Sequence, residues 1–257
     1  MKTALALTFV VSALASCSAP QFNVAPTLGR FEPKGDVSYI DTTQPIPATI
    51  NNSVDDLDLD ESENTFGVRA DLKFGSPHLT LSTQGSSWDG SGVLNADFGG
   101  IPATTAVDTE LDLALHRIAL TFDVLPSDMF ELGLGFGLTV ADIEAQVSDT
   151  GGALTESADE VAPLPVLALR AGVRVWRLDF EALISGMTID YDGDEATYLE
   201  ADLSAKLALF GSPGSVNGSV MLGWRQIDLD VEYDDGDAAA AVDLSFSGPY
   251  FGLQLGL

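Results

Sequence analysis

The chain has 257 residues, a hydrophobic fraction of 46% and a formal net charge of −28, from 11 Lys+Arg against 39 Asp+Glu. So acidic a chain is a poor partner for nucleic acid, whose binding rests on neutralising phosphates with Lys and Arg, and it is too apolar to be a disordered tail. Its apolar and acidic residues must therefore be segregated in space, as in a barrel with a lipid-facing outside, a polar lumen and acidic loops.

The first residues read as an export signal over 1–16. Met1-Lys2 is a short basic start, Thr3 to Leu14 is apolar, and small residues follow at Ala15 and Ser16. The stretch is too short to span a membrane. No later run reaches the roughly 18–20 continuous apolar residues that a spanning helix needs. Leu14-Ala15-Ser16-Cys17 resembles the lipobox of bacterial lipoproteins. That resemblance implies lipidation of Cys17, with Ser18 compatible with outer-membrane sorting. Ordinary cleavage after Ala13-Leu14-Ala15 is the other reading. Residues 17–34 read as a flexible tether, which leaves 35–257 as the folded domain. Cys17 is the only cysteine, so no intrachain disulfide forms. With only His78 and His116 beside it, a structural zinc site is not expected.

From Asn64 onward the chain alternates with period two, the mark of strands with two different faces. Phe66, Val68, Ala70, Leu72 and Phe74 oppose Gly67, Arg69, Asp71 and Lys73. Phe130 to Val140 sets aromatic and aliphatic residues against Glu131, Gly133, Gly135, Gly137 and Thr139. Leu169, Ala171, Val173 and Val175 oppose Arg170, Gly172 and Arg174, and the even-numbered Glu200, Asp202 and Lys206 share a face opposite Leu199 to Leu209. Glycine weakens a strand centre, so the glycines call for a reason. In a narrow barrel they leave room for long charged side chains. The bases Arg69, Arg117, Arg170, Arg174, Lys206 and Arg225 are expected to meet Asp71, Asp112, Glu131, Asp179, Glu181, Glu200 and Asp202 in the lumen, because buried charges must be paired.

Several strands change phase midway. Leu111, Leu113 and Leu115 are odd while Ile118, Leu120 and Phe122 are even, and Trp224 gives way to Ile227 in the same manner. Either a β-bulge restores the alternation or the strand leaves the membrane at that height. Short connections alternate with longer polar ones, as periplasmic turns and outer loops do. Nine strands follow Asn64. An even number requires a weak first strand at Gly35–Asp41, with Thr42–Glu63 as the first outer loop. The reading is all-β: an antiparallel up-and-down transmembrane β-barrel of about ten strands, or eight if the weak strand and one later segment lie outside the wall. A secreted or lipid-anchored β-sandwich is the rival.

The last octapeptide, Tyr250 to Leu257, resembles the C-terminal assembly signal of Gram-negative outer-membrane proteins. Tyr250, Gly252, Leu255 and Leu257 carry the match, although that family usually ends in Phe or Trp. The resemblance implies recognition by the barrel-assembly machinery and a place in the outer membrane, against lipid and lipopolysaccharide. A generic amphipathic last strand is the other reading.

Chemistry is sparse. No nucleophile elbow, metal-ligand spacing or phosphate-binding loop is present. His78 falls in an expected periplasmic turn, and His116 adjoins Arg117 at a phase switch. No cofactor is expected, beyond weak calcium binding at the loop tips Asp190–Glu195 and Asp234–Asp237. The function expected is a non-enzymatic barrel with a structural, adhesive or envelope-integrity role. The alternatives are a narrow channel for small solutes and a lipid-modifying enzyme using His116.

Overall fold

The computed structural model describes residues 20–41, 49–59, 61–95, 101–125, 127, 129–191, 194–211, 215–234 and 238–257. Cys17 and the lipobox lie outside them, as do the loop-tip residues 192–193 and 235–237. The strands are β1 (Gln21–Asp41), β2 (Thr49–Ser53), β3 (Glu63–Lys73), β4 (Pro77–Val93), β5 (Ala106–Asp123) and β6 (Phe130–Asp149). They continue as β7 (Thr155–Val175), β8 (Leu178–Tyr191), β9 (Asp194–Phe210), β10 (Asn217–Asp234) and β11 (Ala238–Gly256). Neighbours in sequence pair antiparallel, and β11 pairs back onto β1, so ten strands close into a barrel. Closure removes the sandwich alternative. β2 is a short addition to the upper part of β1, pairing Ile40 with Thr49 through Asp36 with Ser53.

The first strand is longer than its sequence suggests. The expected weak strand at Gly35–Asp41 is only the upper end of β1. Residues 21–34, expected as a tether, are wall: Gln21 to Phe31 pair with Lys73 to Glu63 of β3, and Asn23 to Asp41 pair with β11. Pro26 and Pro33 hid this strand, because proline breaks the usual strand signature. They are tolerated in the wall of β1 facing Val68 and Phe246.

The phase changes mark a change of medium. β5 stays in unbroken register with β4 and β6 across its own switch, so no bulge lies there. Odd residues point inward along the whole strand: Leu111, Leu113 and Leu115 are buried above, and Arg117, Ala119 and Thr121 below. The outward residues change instead, from Ile118 in the lower half to Asp108, Glu110 and Asp112 in the upper. In β6 the outward series Leu134, Phe136, Leu138 and Val140 gives way to Asp142 and Glu144, while Ala141 and Val147 turn inward. β10 does the same between Trp224 and Gln226. Strands of 21 residues such as β1 and β7 explain why. About 9–11 tilted residues cross a bilayer, so these long wall strands continue into water. There the apolar face must turn from lipid to an interior core. Asp112 belongs to this acidic outer wall and not to the lumen network. The barrel has two storeys: a lower one, apolar outside and charged inside, and an upper one, acidic outside and apolar inside.

The upper core packs Phe31, Trp88, Leu94, Ile101, Val107, Leu111, Leu113, Ile227, Leu229 and Phe246 into one cluster. The turn after β2 caps it. In the run Asp55-Asp56-Leu57-Asp58-Leu59 the leucines, with Val54, are buried in the cluster while the three aspartates face solvent. This segment is a lid and not the open acidic loop expected from its composition. Its backbone lies flat on β4, where Val93 N–H donates to the Asp56 carbonyl (3.3 Å). Gly90 and Gly92 permit that approach, since a Cβ at either would run into the carbonyls of Leu57 and Asp56.

The lid is pinned by an acid. Asp56 accepts from the Ser53 hydroxyl (2.7 Å) and the Ser53 amide (3.2 Å). These bonds, the hydroxyl first, hold its carboxyl below the ordinary aspartate range. A lowered folded pKa contributes stability that is present above the unfolded value and lost as pH falls through the folded one. Protection of the amides of residues 53–59, taken relative to their intrinsic exchange rates, should therefore fall on acidification through and below the usual aspartate range. Asp56→Asn should loosen the lid at neutral pH and flatten that acid dependence.

Candidate functional site

The lower lumen is filled by charge. Period-two strands aim every second side chain inward, and adjacent strands stack those residues side by side. In the larger cluster, Asp202 of β9 accepts from Arg225 (2.6 Å) and from the Tyr250 hydroxyl (2.5 Å), with Arg117 at 3.8 Å and Arg69 at 3.9 Å. Glu200 pairs with Arg117 (2.6 Å) and accepts from the Tyr198 hydroxyl (2.8 Å). Arg69 forks onto Asp71 at 2.9 and 3.0 Å and also pairs with Glu181, which Lys206 approaches at 3.3 Å. Asp71 accepts further from Thr80 (2.9 Å) and lies 3.2 Å from His78 Nε2.

A second cluster surrounds Arg170, which is fully buried. It pairs with Glu131 (2.5 Å) and Asp123, and Lys73 bridges the same two acids at 2.6 and 3.1 Å. Arg170 sits opposite Gly133 in the register. A side chain at Gly133 would press on Thr121 and Asp123, within the shell that holds the guanidinium. Gly135 and Gly137 serve another purpose: a Cβ there would meet the carbonyls of Leu120 and Ile118 on β5. They let two backbones approach and do not make room for charges.

Of the residues expected in the lumen, Asp112 lies on the outer wall, and Arg174 and Asp179 stand apart, paired with each other (2.9 Å) and half-exposed at the lower rim. Lys73, His78, Asp123, Tyr198 and Tyr250 join the network without having been expected there. Asp123 was legible, because it continues the inward odd series of β5 from Arg117. Tyr250 was read only as part of the terminal octapeptide. It points inward and is buried, as does Gly252, whereas Leu255 and Leu257 face outward. Seven bases pair with seven acids inside the barrel and at its lower rim, so the net charge of −28 rests on the rest of the chain.

Below the network the lumen opens into a vestibule of about 490 Å³ at the end with the short turns. Lys73, His78, Glu131, Glu181 and Lys206 line its depth, and Trp176, Arg177, Phe210 and Gln254 lie nearer the mouth. The two histidines are therefore separated. His78 is an inward residue at the start of β4, and His116 faces outward beside Thr83, whose hydroxyl lies 2.8 Å from Nδ1.

No protein-family model and no curated protein matches the chain. Solved structures do. The outer membrane protease OmpT from Escherichia coli aligns over 95% of this chain and 100% of its own, with a TM-score of 0.60 at 10% identity. A Pseudomonas aeruginosa FadL homologue aligns over 95% and 91% (TM-score 0.37, 9% identity). Ail, the attachment invasion locus protein of Yersinia pestis, aligns over 89% and 98% (TM-score 0.29, 9% identity). The chain has the fold of an outer-membrane β-barrel. The likeness is one of fold, and it corrects one expectation. The barrel that matches along its whole length is that of a protease, so a barrel of this kind gives no ground for holding that the protein is not an enzyme.

Proposed function

We propose that the protein works at the cell surface as a sealed, rigid barrel, in an adhesive or envelope-integrity role, and not as a conduit. The observation that carries this reading is the double closure of the lumen. The upper storey is a packed apolar core under a lid, and an ion entering it would lose its hydration with nothing in exchange. The lower storey is occupied by paired charges. What such a barrel offers its surroundings is its outer wall, a stiff strand scaffold studded with Asp89, Asp108, Glu110, Asp112, Asp142 and Glu144. Directly opposed acids such as Asp89 with Glu110 and Asp112 with Glu144 are unfavourable across a sheet. The apolar core beneath offsets that cost.

The test is twofold. In planar bilayers the purified barrel should give no conductance steps, and Arg170→Ala or Glu131→Ala should not create them. Cells lacking the protein should change in detergent sensitivity or in surface attachment. Regular conductance steps that shift with either lumen variant would overturn the reading in favour of a narrow channel.

A further inference from the structure

We propose that the periplasmic vestibule is a binding site for a neutral sugar unit. The short-turn end of such a barrel faces the periplasm, and a volume of about 490 Å³ is in the range of small-molecule sites. The two walls of the vestibule differ. On one, the charges are already paired: Lys206 with Glu181, Lys73 with Glu131 and Arg174 with Asp179. On the other, built from β1, β11 and β10, the inward residues are the uncharged Gln21, Asn23, Gln254, Asn217 and Ser219.

These five make one patch, because the strand register sets them side by side. Gly256 pairs with Asn23 on one flank and with Asn217 on the other, and Gln254 pairs with Ser219. A Cβ at Gly256 would run into the side-chain amides of both asparagines, so the glycine lets them converge. Asn217 donates from Nδ2 to the Ser215 carbonyl (2.9 Å), which leaves its Oδ1 to accept. The side chains of Gln21, Asn23, Gln254 and Ser219 make no hydrogen bond to any described residue. Gln254 is only 9% exposed, yet its amide opens onto the cavity. A half-dried polar group without a partner is costly, and a ligand that bonds it removes the cost. Each amide offers two donors and a carbonyl acceptor. An anion uses only the donors and a cation only the acceptors, whereas a hydroxylated ring uses both. Phe210, half-exposed at the mouth, supplies an apolar surface for the C–H face of such a ring. Its own ring lies on Gly218, where a Cβ would strike it. A free sugar and the end of a glycan chain present this same chemistry.

Equilibrium dialysis of the full-length protein, in a detergent without a sugar headgroup, against glucose, N-acetylglucosamine and the tetramer of N-acetylglucosamine tests this. Cyclohexanol, L-glutamate and inorganic phosphate are the comparison probes. At least one sugar should bind in the millimolar range or tighter, and more tightly than every comparison probe. Gln254→Leu and Asn217→Leu should each weaken that binding about tenfold. Neither residue belongs to the charge network, and a retained cold-versus-boiled gel shift identifies the folded variant. Asn217→Leu serves where a change in the closing strand prevents assembly. A tetramer that binds as well as the monomer supports the site as one for a chain end, and its exclusion supports a free sugar. Phosphate or glutamate binding more tightly than the sugars would overturn the proposal in favour of an ion site. No sugar binding at millimolar concentration, or sugar binding unchanged in both folded variants, would overturn it outright.

Discussion

Asp202→Leu should destabilise the barrel by about 3–5 kcal/mol, because removing one partner of a buried charge network leaves the others uncompensated. Asp202 is fully enclosed, and Arg225, Arg117 and Arg69 all lie within 4 Å of it. The leucine would leave those guanidinium groups sharing Glu200, Asp71 and Glu181 alone. Urea unfolding in detergent micelles, followed by the cold-versus-boiled gel shift, measures the loss. Arg225→Met on the same background should recover part of it, since a neutral pair removes charge from both sides, and the double-mutant cycle isolates the coupling. A loss under about 1 kcal/mol would mean that these charges are screened by water, as exposed pairs are. The sealed lumen, and the proposed function with it, would then fall.

Trp88→Ala should act on the other storey. Trp88 is almost wholly buried, packs on Phe246 with ring centroids 5.3 Å apart, and donates its indole N–H to the Phe31 carbonyl (3.3 Å). Truncating such a side chain costs about 3–5 kcal/mol through lost burial and the cavity left behind. The damage should stay above the membrane. Protease added to intact cells should cut the upper loops faster, while the membrane-embedded storey keeps its gel shift and planar bilayers remain silent. A barrel that loses the gel shift entirely would show that the two storeys fold as one unit.

Strand alternation and the segregation of acids from apolar residues made the barrel legible in the sequence. The alternation works because a strand exposes opposite faces at successive residues, so two media leave a period-two trace. The same rule explains what went astray. Leu111 to Leu115 and Ile118 to Phe122 follow one unbroken strand, yet periodicity alone cannot tell a bulge from a change of medium. Pro26 and Pro33 concealed most of β1, because strand signals penalise proline wherever its missing N–H falls.

For the lumen, sequence alone determined which residues face inward, since side-chain parity is a local property of the strand. Partners were beyond it. Arg69 meets Glu181 across 112 residues and Arg225 meets Gln84 across 141, pairings that exist only once the sheet has closed and set its stagger. The lid is the clearest case. Asp55-Asp56-Leu57-Asp58-Leu59 reads locally as a solvated acidic loop. Only the closed upper storey offers its leucines an apolar core to enter, and only Gly90 and Gly92 on β4 leave room for its backbone to lie there. Residue-level parity is written in the chain; which surfaces meet is decided by closure, because contact between distant strands depends on register and curvature that no short stretch of sequence contains.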